Sequence, residues 1–474
     1  MPLKGERKGF TRSGEVKCRG CFLKNLENQD LKERLKRAED KLKLQQNHKP
    51  LEQSNDQSPH MPSSTKRFKN NSTQENRDKK GGAKFGHKGY GRKKAELTES
   101  VEMTVCDHPT ECPCCNIPLS TKDTKTRTIV EVTKIKAERK ILSLKRGQCP
   151  KCRKLFNAQV PVFPKALYGN RLISQAAVMH YVHGVSIGRT LEILGSEVTE
   201  GGLIEAFHRI GKICEKARPQ LILEYRASSV KQADETGWRT DGQSGYAWVF
   251  VSKLITLIEF RESRAARIAG EILGDQPLNG VLVVDRYGGY NRFQVKIQYC
   301  YAHLLREVEK LEKEMPDNKE VILFVSRMSL YLTQAMKLRG LGLVREEFLK
   351  NAQQIKENII HEITSIYKDF GIIRIQQIFQ EKKHRLYHWA DDPEVPADNN
   401  RAEREIRPTV ISRKISFGSQ SQKGAKTRSS IMSVLYTAKK RLNDLSIEDW
   451  FYDSLNKLVV NPNLAIFDLI PQAP

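Results

Sequence analysis

Three groups of acidic side chains, far apart in the chain, are the first chemistry this sequence offers. Asp234 stands in "QADETG", Asp285 in "VVDRYGGY", and Asp398, Glu403 and Glu405 all fall in "ADNNRAERE". Carboxylates gathered from such segments are the donor set for a pair of Mg2+ (or Mn2+) ions. These ions prefer oxygen ligands and keep some waters, and two of them about 4 Å apart clamp both oxygens of a phosphodiester under attack. Each acid also has an ordinary use. Asp285 ends an apolar run, and Asp234 can accept turn hydrogen bonds. Asn400 with Glu403 three residues on has the spacing of a helix capping box, and Arg407 lies four residues beyond Glu403.

Cysteines supply a second chemistry. "CPCC" (Cys112 to Cys115) and "CPKC" (Cys149 to Cys152) flank a stretch of alternating apolar residues. Two such knuckles joined by strands predict a zinc-ribbon-like module with structural Zn2+ held by Cys112, Cys115, Cys149 and Cys152. Cys114 or Cys106 are the substitutes in the first pair. Cys18 and Cys21 have no second pair nearby and are expected to be free thiols.

Delivering the acids to one place is the task of the elements around them. After residue 228 the pattern turns to strands: three in series, then a helix over 263–273, a strand Val281 to Val284 ending on Asp285, and "VKIQYCYAH" before a charged helix. That order is α/β and RNase H-like, with Asp234 and Asp285 on different strands. The third acid would come from the helix that opens after Pro396.

The charge says what such a site would act on. Lys plus Arg is 81 against 56 for Asp plus Glu, a net +25, which favours a phosphate-rich partner such as DNA. No apolar run reaches the roughly 18 to 20 residues of a membrane span, and the N-terminus has no signal-peptide core. The expected location is the cytoplasm, with reduced cysteines.

Ahead of the strands the chain divides into segments. Residues 1–46 carry a short heptad seam, Leu31, Leu35, Ala38 and Leu42 with Asn28 as a polar core position. Residues 47–100 are a basic flexible linker ending in "KKGGAKFGHKGYGRKK", where Lys84, His87, Lys88 and Arg92 would follow a phosphate backbone while Phe85 or Tyr90 stacks. The zinc module spans 101–165. The helical region 166–227 contains a helix ending at Gly195 and a second one capped by Thr199 and carrying Leu203, Ile204 and Phe207. That layout suits a helix-turn-helix and an αα-hairpin equally. The RNase H-like core then falls in two parts, 228–303 and 390–474, around a helical insertion over 304–389.

These motifs, in this order, resemble the insertion sequence 66 family of bacterial transposases over nearly the whole chain. The resemblance is carried by "GGAKFGHKGYGR", the paired knuckles, "ADETGW", "VVDRYGGYNRF" with "CYAHLLRE", "DNNRAEREIRPTVISRK" and "GSQSQKGAKTRSSIMSVLYTAKK". It implies an Asp-Asp-Glu triad of Asp234, Asp285 and Glu403 holding two Mg2+ (or Mn2+) ions. The implied activity is cleavage of transposon ends and transfer of the 3′ ends to target DNA. It also implies a homo-oligomer on DNA, accessory proteins of the element, and no membrane partner. Cys300 and His303 match a motif such transposases carry after the second Asp, read as support for the active site, positioning DNA or the Asp285 strand. Arg401, Arg404, Arg407, Arg413 and Lys414 surround the third acid and are expected to face phosphates. Where many relatives have "RKNW", this chain has "RKISFGSQSQ", with Phe417 the nearby aromatic.

Overall fold

Helices come first in the well-described part of the chain, and a mixed sheet follows them. In a computed structural model the described residues are 9–10, 16–17, 111, 114–118, 135–148, 150–153, 155–157, 160–163, 167–442 and 445–472. The expected heptad helix, the basic segment with Lys84, His87, Lys88 and Arg92, and Cys18, Cys21, Cys106, Cys112 and Cys149 lie outside them. Two small antiparallel ladders pair β1 (Gly9–Phe10) with β2 (Val16–Lys17) and β3 (Arg146–Gln148) with β4 (Leu155–Asn157).

The helical region runs as α1 (Asn170–Ala177), which continues into a π-turn at Val178–Val182, then α2 (Ile187–Leu194), α3 (Glu200–Glu215) and α4 (Arg218–Ala227). Gly195 ends α2 at a φ of 89°, and Thr199 caps α3, its hydroxyl accepting the Gly202 N–H at 3.3 Å. α3 buries Leu203, Phe207, Ile210 and Cys214, while its outward positions include Glu200 and Glu205. This helix packs its apolar side into the core and exposes Glu200, Glu205 and Lys212; no distinct helix-turn-helix or coiled coil stands out among the described residues.

The sheet has the strand order β7-β6-β5-β8-β9. β5 (Val230–Thr240), β6 (Gln243–Val251) and β7 (Thr256–Arg261) form the expected antiparallel meander. Asp241 and Gly242, both at positive φ, close the first hairpin with the twist that paired strands need. After α5 (Ala266–Leu273), β8 (Val281–Val284) and β9 (Lys296–Tyr299) add in parallel on the other side of β5. Gly280 makes that crossover fit. It sits at φ 79°, and a Cβ there would lie 1.9 Å from the Ser229 carbonyl oxygen. Five strands in this order with flanking helices constitute a mixed α/β domain consistent with an RNase H-like fold.

The insertion is helical as its charge pattern predicts: α6 (Tyr301–Glu314), α7 (Lys319–Leu338), α8 (Arg345–Thr364), α9 (Phe370–Glu381) and the single-turn α10 (His388–Asp391). The chain then returns to the sheet through α11 (Asn400–Ser416), α12 (Gln422–Arg441) and α13 (Ile447–Val460). α12 explains the polar residues of "TRSSIMSVLYTAKK". β7 is the sheet edge, and its free backbone groups are met by hydroxyls spaced one turn apart. Ser433 accepts the Ile258 N–H at 2.9 Å, Thr437 accepts the Thr256 N–H at 3.1 Å, and Ser429 donates to the Ile258 carbonyl at 2.6 Å. A helix laid on the edge in this way blocks a further strand from pairing there. One turn away, fully buried Arg428 donates to His180 Nε2 at 2.7 Å, tying α12 to the π-turn. Among the described residues no helix is long and apolar enough to cross a membrane.

Candidate active site

Sheet register brings the first two acids together. The parallel ladder pairs Val230 with Val281 and Gln232 with Val283. Extended by two residues, it sets Asp234 beside Asp285 on strands that lie about 4.8 Å apart. β8 stops at Val284, so Asp285 stands just past the last rung, whereas β5 continues against β6. Each carboxylate takes a local backbone donor. Asp234 accepts the Glu235 N–H and Asp285 the Tyr287 N–H, both at 2.9 Å.

The third segment is bolted to the same place by Asn399, which is fully buried. Its amide donates to the Ala233 carbonyl at 2.8 Å and accepts from Gln232 Nε2 at 3.1 Å, so it takes up β5 one residue beyond the last β5–β8 rung. Its own N–H reaches Cys300 Sγ at 3.1 Å, and the Tyr301 N–H reaches the Ala397 carbonyl at 2.8 Å. α11 therefore starts immediately beside Asp234, with Glu403 in its first turn.

The acids of "ADNNRAERE" then sort by what already holds them. Asp398 accepts from the Asn400 N–H and side-chain amide at 3.0 and 2.7 Å, and Glu405 pairs with Lys440 at 3.2 Å. Glu403 is different: its Oε1 is buried with no hydrogen-bond partner, 3.6 Å from Arg306 Nη2 and 3.9 Å from His303 Nδ1. The capping-box reading of Asn400 and Glu403 does not hold. The N-cap position is Asn399, whose side chain makes no cap bond because β5 has claimed it, and Asn400 is already inside the helix.

Electrostatics mark the cluster as short of positive charge. Burial raises the Asp234 carboxyl well above its ordinary range, and the negative fields of Glu235, Asp285 and Glu403 push it further. Burial and Asp285 also raise Glu235, opposed by Arg264. The Arg264 guanidinium bonds Glu235 at 2.7 Å through Nε, approaches Asp285 to 3.9 Å, and lies over the Tyr287 ring; Tyr290 donates to the other Glu235 oxygen at 3.0 Å. The sequence reading missed Glu235, Arg264, Arg306 and Asn399. Only the adjacency of Glu235 to Asp234 in "ADET" signalled any of them. A buried carboxylate raised by its neighbours and an orphaned carboxylate oxygen together fit divalent cations, whose charge would relieve both.

Cys300 and His303 also come to this corner. Among the described residues, the one set of His, Cys, Asp and Glu ligand atoms lying mutually within 4.8 Å is Cys300, His303 and Glu403; the three acids face one another electrostatically without closing to that spacing. Burial pushes the Cys300 thiol up to about 12, against the pull of backbone N–H groups of Asn399, His303 and Ala302. Burial lowers His303, with Arg306 adding to the effect and Glu403 opposing it.

Of the basic residues on α11, Arg404, Arg407 and Lys414 are exposed and Arg401 is half-buried. Arg413 instead turns back to β5, donating to Thr236 Oγ1 at 3.3 Å and to the Gly237 carbonyl. In the cysteine module, Cys114, Cys115 and Cys152 are exposed free thiols. The two knuckles share one geometry: Glu111 bridges Pro118 and Gln148 pairs with Leu155, seven residues apart in each. The residue after the second cysteine, Asn116 or Arg153, has φ 56° in both.

Comparison with known proteins adds an independent line. The family model described as "Transposase IS66 family" matches residues 165–427, a span that includes Asp234, Asp285 and Glu403. Three uncharacterized proteins of Sinorhizobium fredii (strain NBRC 101917 / NGR234) are similar. The protein y4qI is 22% identical over 330 residues (61% of this chain, 59% of the relative). The protein y4jD is 26% identical over 219 residues (42% and 41%), and y4hP is 24% identical over 217 residues (40% and 39%). The chain thus spans between about two and three fifths of the length of these curated relatives.

Proposed function

We propose, from the premise that this chain belongs to the IS66 family of transposases, that it is a DNA transposase which cuts the ends of a mobile element and joins the freed 3′ ends to target DNA. The observation that carries the reading is the approach of Asp234 and Asp285 by strand register to a Glu403 carboxylate whose buried Oε1 accepts no hydrogen bond.

In this proposal Asp234, Asp285 and Glu403 hold two Mg2+ (or Mn2+) ions. When bound, such ions lower the pKa of an attacking water or 3′-hydroxyl and neutralise charge on the leaving oxygen. The chain's own residues do the rest. Asp234, whose carboxyl is raised first by burial and then by the fields of Glu235, Asp285 and Glu403, would be the shared ligand, standing between the other two acids. Asn399 holds the first turn of α11 against β5, so that Glu403 meets the strand pair at fixed distance. Arg264 anchors Glu235 and balances Asp285 from the flank. Arg404, Arg407 and Lys414 lie on the outward side of α11, where the DNA backbone would pass, and Arg401 stands at its start. Lys84, His87, Lys88 and Arg92 would add contacts along the flanking duplex.

The matched turns after Cys115 and Cys152 support a structural Zn2+ held by Cys112, Cys115, Cys149 and Cys152. That module, a homo-oligomer on DNA, and accessory proteins complete the proposed assembly.

A paired-end assay tests the reading. With Mg2+ and cognate end DNA, the wild-type chain is expected to nick the ends and produce joined target products. Asp234→Asn should keep end binding and lose both. Nicking without joining would make the protein a nuclease, and normal cleavage by Asp234→Asn would remove the triad assignment.

A further inference from the structure

The sequence pairs Cys300 with His303 and leaves them one ligand short of a metal site. Folding supplies the third. α11 places Glu403 so that Cys300 Sγ, a His303 ring nitrogen and a Glu403 oxygen lie mutually within 4.8 Å. His303 Nδ1 and Glu403 Oε1 face each other at 3.9 Å, too far for a hydrogen bond. Both are buried with no partner. Two orphaned polar atoms across one gap are costly to bury unless something sits between them.

We infer that Cys300, His303 and Glu403 form a transition-metal site of the zinc class, with three protein ligands and one open position. The donor set selects the ion. A thiolate and an imidazole suit Zn2+ and are poor ligands for Mg2+, which takes oxygen. Tetrahedral Zn2+ with bonds of about 2.0–2.3 Å sets its ligands roughly 3.3–3.8 Å apart; the His303–Glu403 gap of 3.9 Å is close to that, and the other two separations, within 4.8 Å, would draw in on binding. Cys300 occupies the N-cap of α6, where its sulfur accepts the Asn399 N–H at 3.1 Å. Backbone amides directed at the sulfur pull toward its anionic form against the burial that holds the thiol up, and metal binding would release that proton to solvent as the metal–sulfur bond forms. Arg306, 3.6 Å from Glu403 and 43% exposed, is the opposing charge and has room to turn outward. Bound there, the ion would fix Glu403 by one oxygen and leave the other toward Asp234 and Asp285. The inference rests on the proposed catalytic reading only for that last role; the ligand geometry stands without it.

The test is zinc content of the full chain, loaded with Zn2+, desalted and measured by plasma mass spectrometry. The cysteine knuckles are present in every variant and act as a constant. Wild type is expected to carry one more equivalent than Cys300→Ser or His303→Gln. With Co2+ as probe, Cys300→Ser should lose part of the thiolate-to-cobalt absorbance. Glu403→Gln, at a position that tolerates a neutral isostere, guards against misfolding of the buried cysteine variant and should lose the same equivalent. Equal metal content in wild type, His303→Gln and Glu403→Gln overturns the site. Asp234→Asn separates the two readings. It should retain the full zinc count while losing Mg2+-dependent cleavage, and if it still cleaves, the triad fails but the zinc count stands.

Discussion

Replacing Asn399 with alanine is the sharpest probe of how the site is held. The side chain is fully buried and makes two hydrogen bonds to β5, to the Ala233 carbonyl at 2.8 Å and from Gln232 Nε2 at 3.1 Å. Alanine removes both, at about 1 kcal/mol each, and strands the Ala233 carbonyl away from water at about 1–3 kcal/mol more. Gln232 Nε2 keeps a long contact to the Asp398 carbonyl at 3.4 Å, which softens its share. The expected loss is about 2–4 kcal/mol in urea unfolding followed by tryptophan fluorescence, since Trp238 and Trp248 lie in the same core. Activity should fall further than stability. Glu403 sits one turn from Asn399, and a displacement of about 1 Å in a reacting group costs on the order of 100-fold in rate. Asn399→Asp should be worse than alanine, because a second carboxylate would face the Ala233 carbonyl and the raised Asp234. A loss under about 1 kcal/mol with wild-type nicking would refute this account of the anchor.

Other outcomes follow from the same contacts. Asp234 has its carboxyl raised in the fold, so its contribution to metal-free stability is full below the ordinary carboxylate value of about 4 and is lost as pH rises through the folded value. Asp234→Asn should therefore stabilise the Mg2+-free protein at neutral pH, and calorimetry at pH 4 and pH 7.5 should show the gain only at the higher value. Mg2+ at 100 times its dissociation constant should stabilise wild type by about 2.7 kcal/mol and the variant much less. His180 is lowered to about 3, chiefly by burial and then by Arg428. Its contribution is full above about pH 6.5 and falls by about 1.4 kcal/mol per unit as pH drops toward 3, a slope that His180→Gln should flatten in urea titrations across that range. Gly280→Ala puts a Cβ 1.9 Å from the Ser229 carbonyl at a φ of 79°, and should destabilise by at least about 1–3 kcal/mol. An unchanged melting temperature would mean the crossover can shift.

The succession of strands and helices after residue 228, the Asp241–Gly242 hairpin, the end of α2, the start of α3, and the helical stretch over 304–389 were legible in the sequence because each is written locally, in alternation, turn residues and caps. Asp285 at the end of β8 was legible for the same reason. The choice among Asp398, Glu403 and Glu405 was not readable from pattern, since it depends on which partners arrive from elsewhere. Lys440 comes from α12, and Asn400 turns onto its neighbour. The capping box failed on a similar ground. Asn399 is recruited by β5, more than 160 residues earlier, so local spacing predicted a cap that tertiary contact had already taken. The polar face of α12 was equally opaque. Its hydroxyls look misplaced in a buried helix until the bare edge of β7 lies beneath them.

The placement of positive charge around the site follows from what it must admit. Four carboxylates, of Asp234, Glu235, Asp285 and Glu403, share one corner, and a cation locked among them would compete with any divalent ion. The two guanidiniums nearest the proposed ligands stand at the flank instead. Arg264 is held by Glu235, which it bonds at 2.7 Å, and comes only to 3.9 Å from Asp285, while Arg306 is 3.6 Å from Glu403; both are 43% exposed. Their contacts to Asp285 and Glu403 are long and half-solvated, and therefore weak. Arg428, a buried cation of α12, is satisfied by neutral partners, His180, Ser412 and two aromatic faces. On α11, Arg404, Arg407 and Lys414 stand outside. Placed there, they leave the carboxylates unneutralised, which in the proposed reading keeps the negative charge of the cluster for divalent ions that would stand between it and DNA.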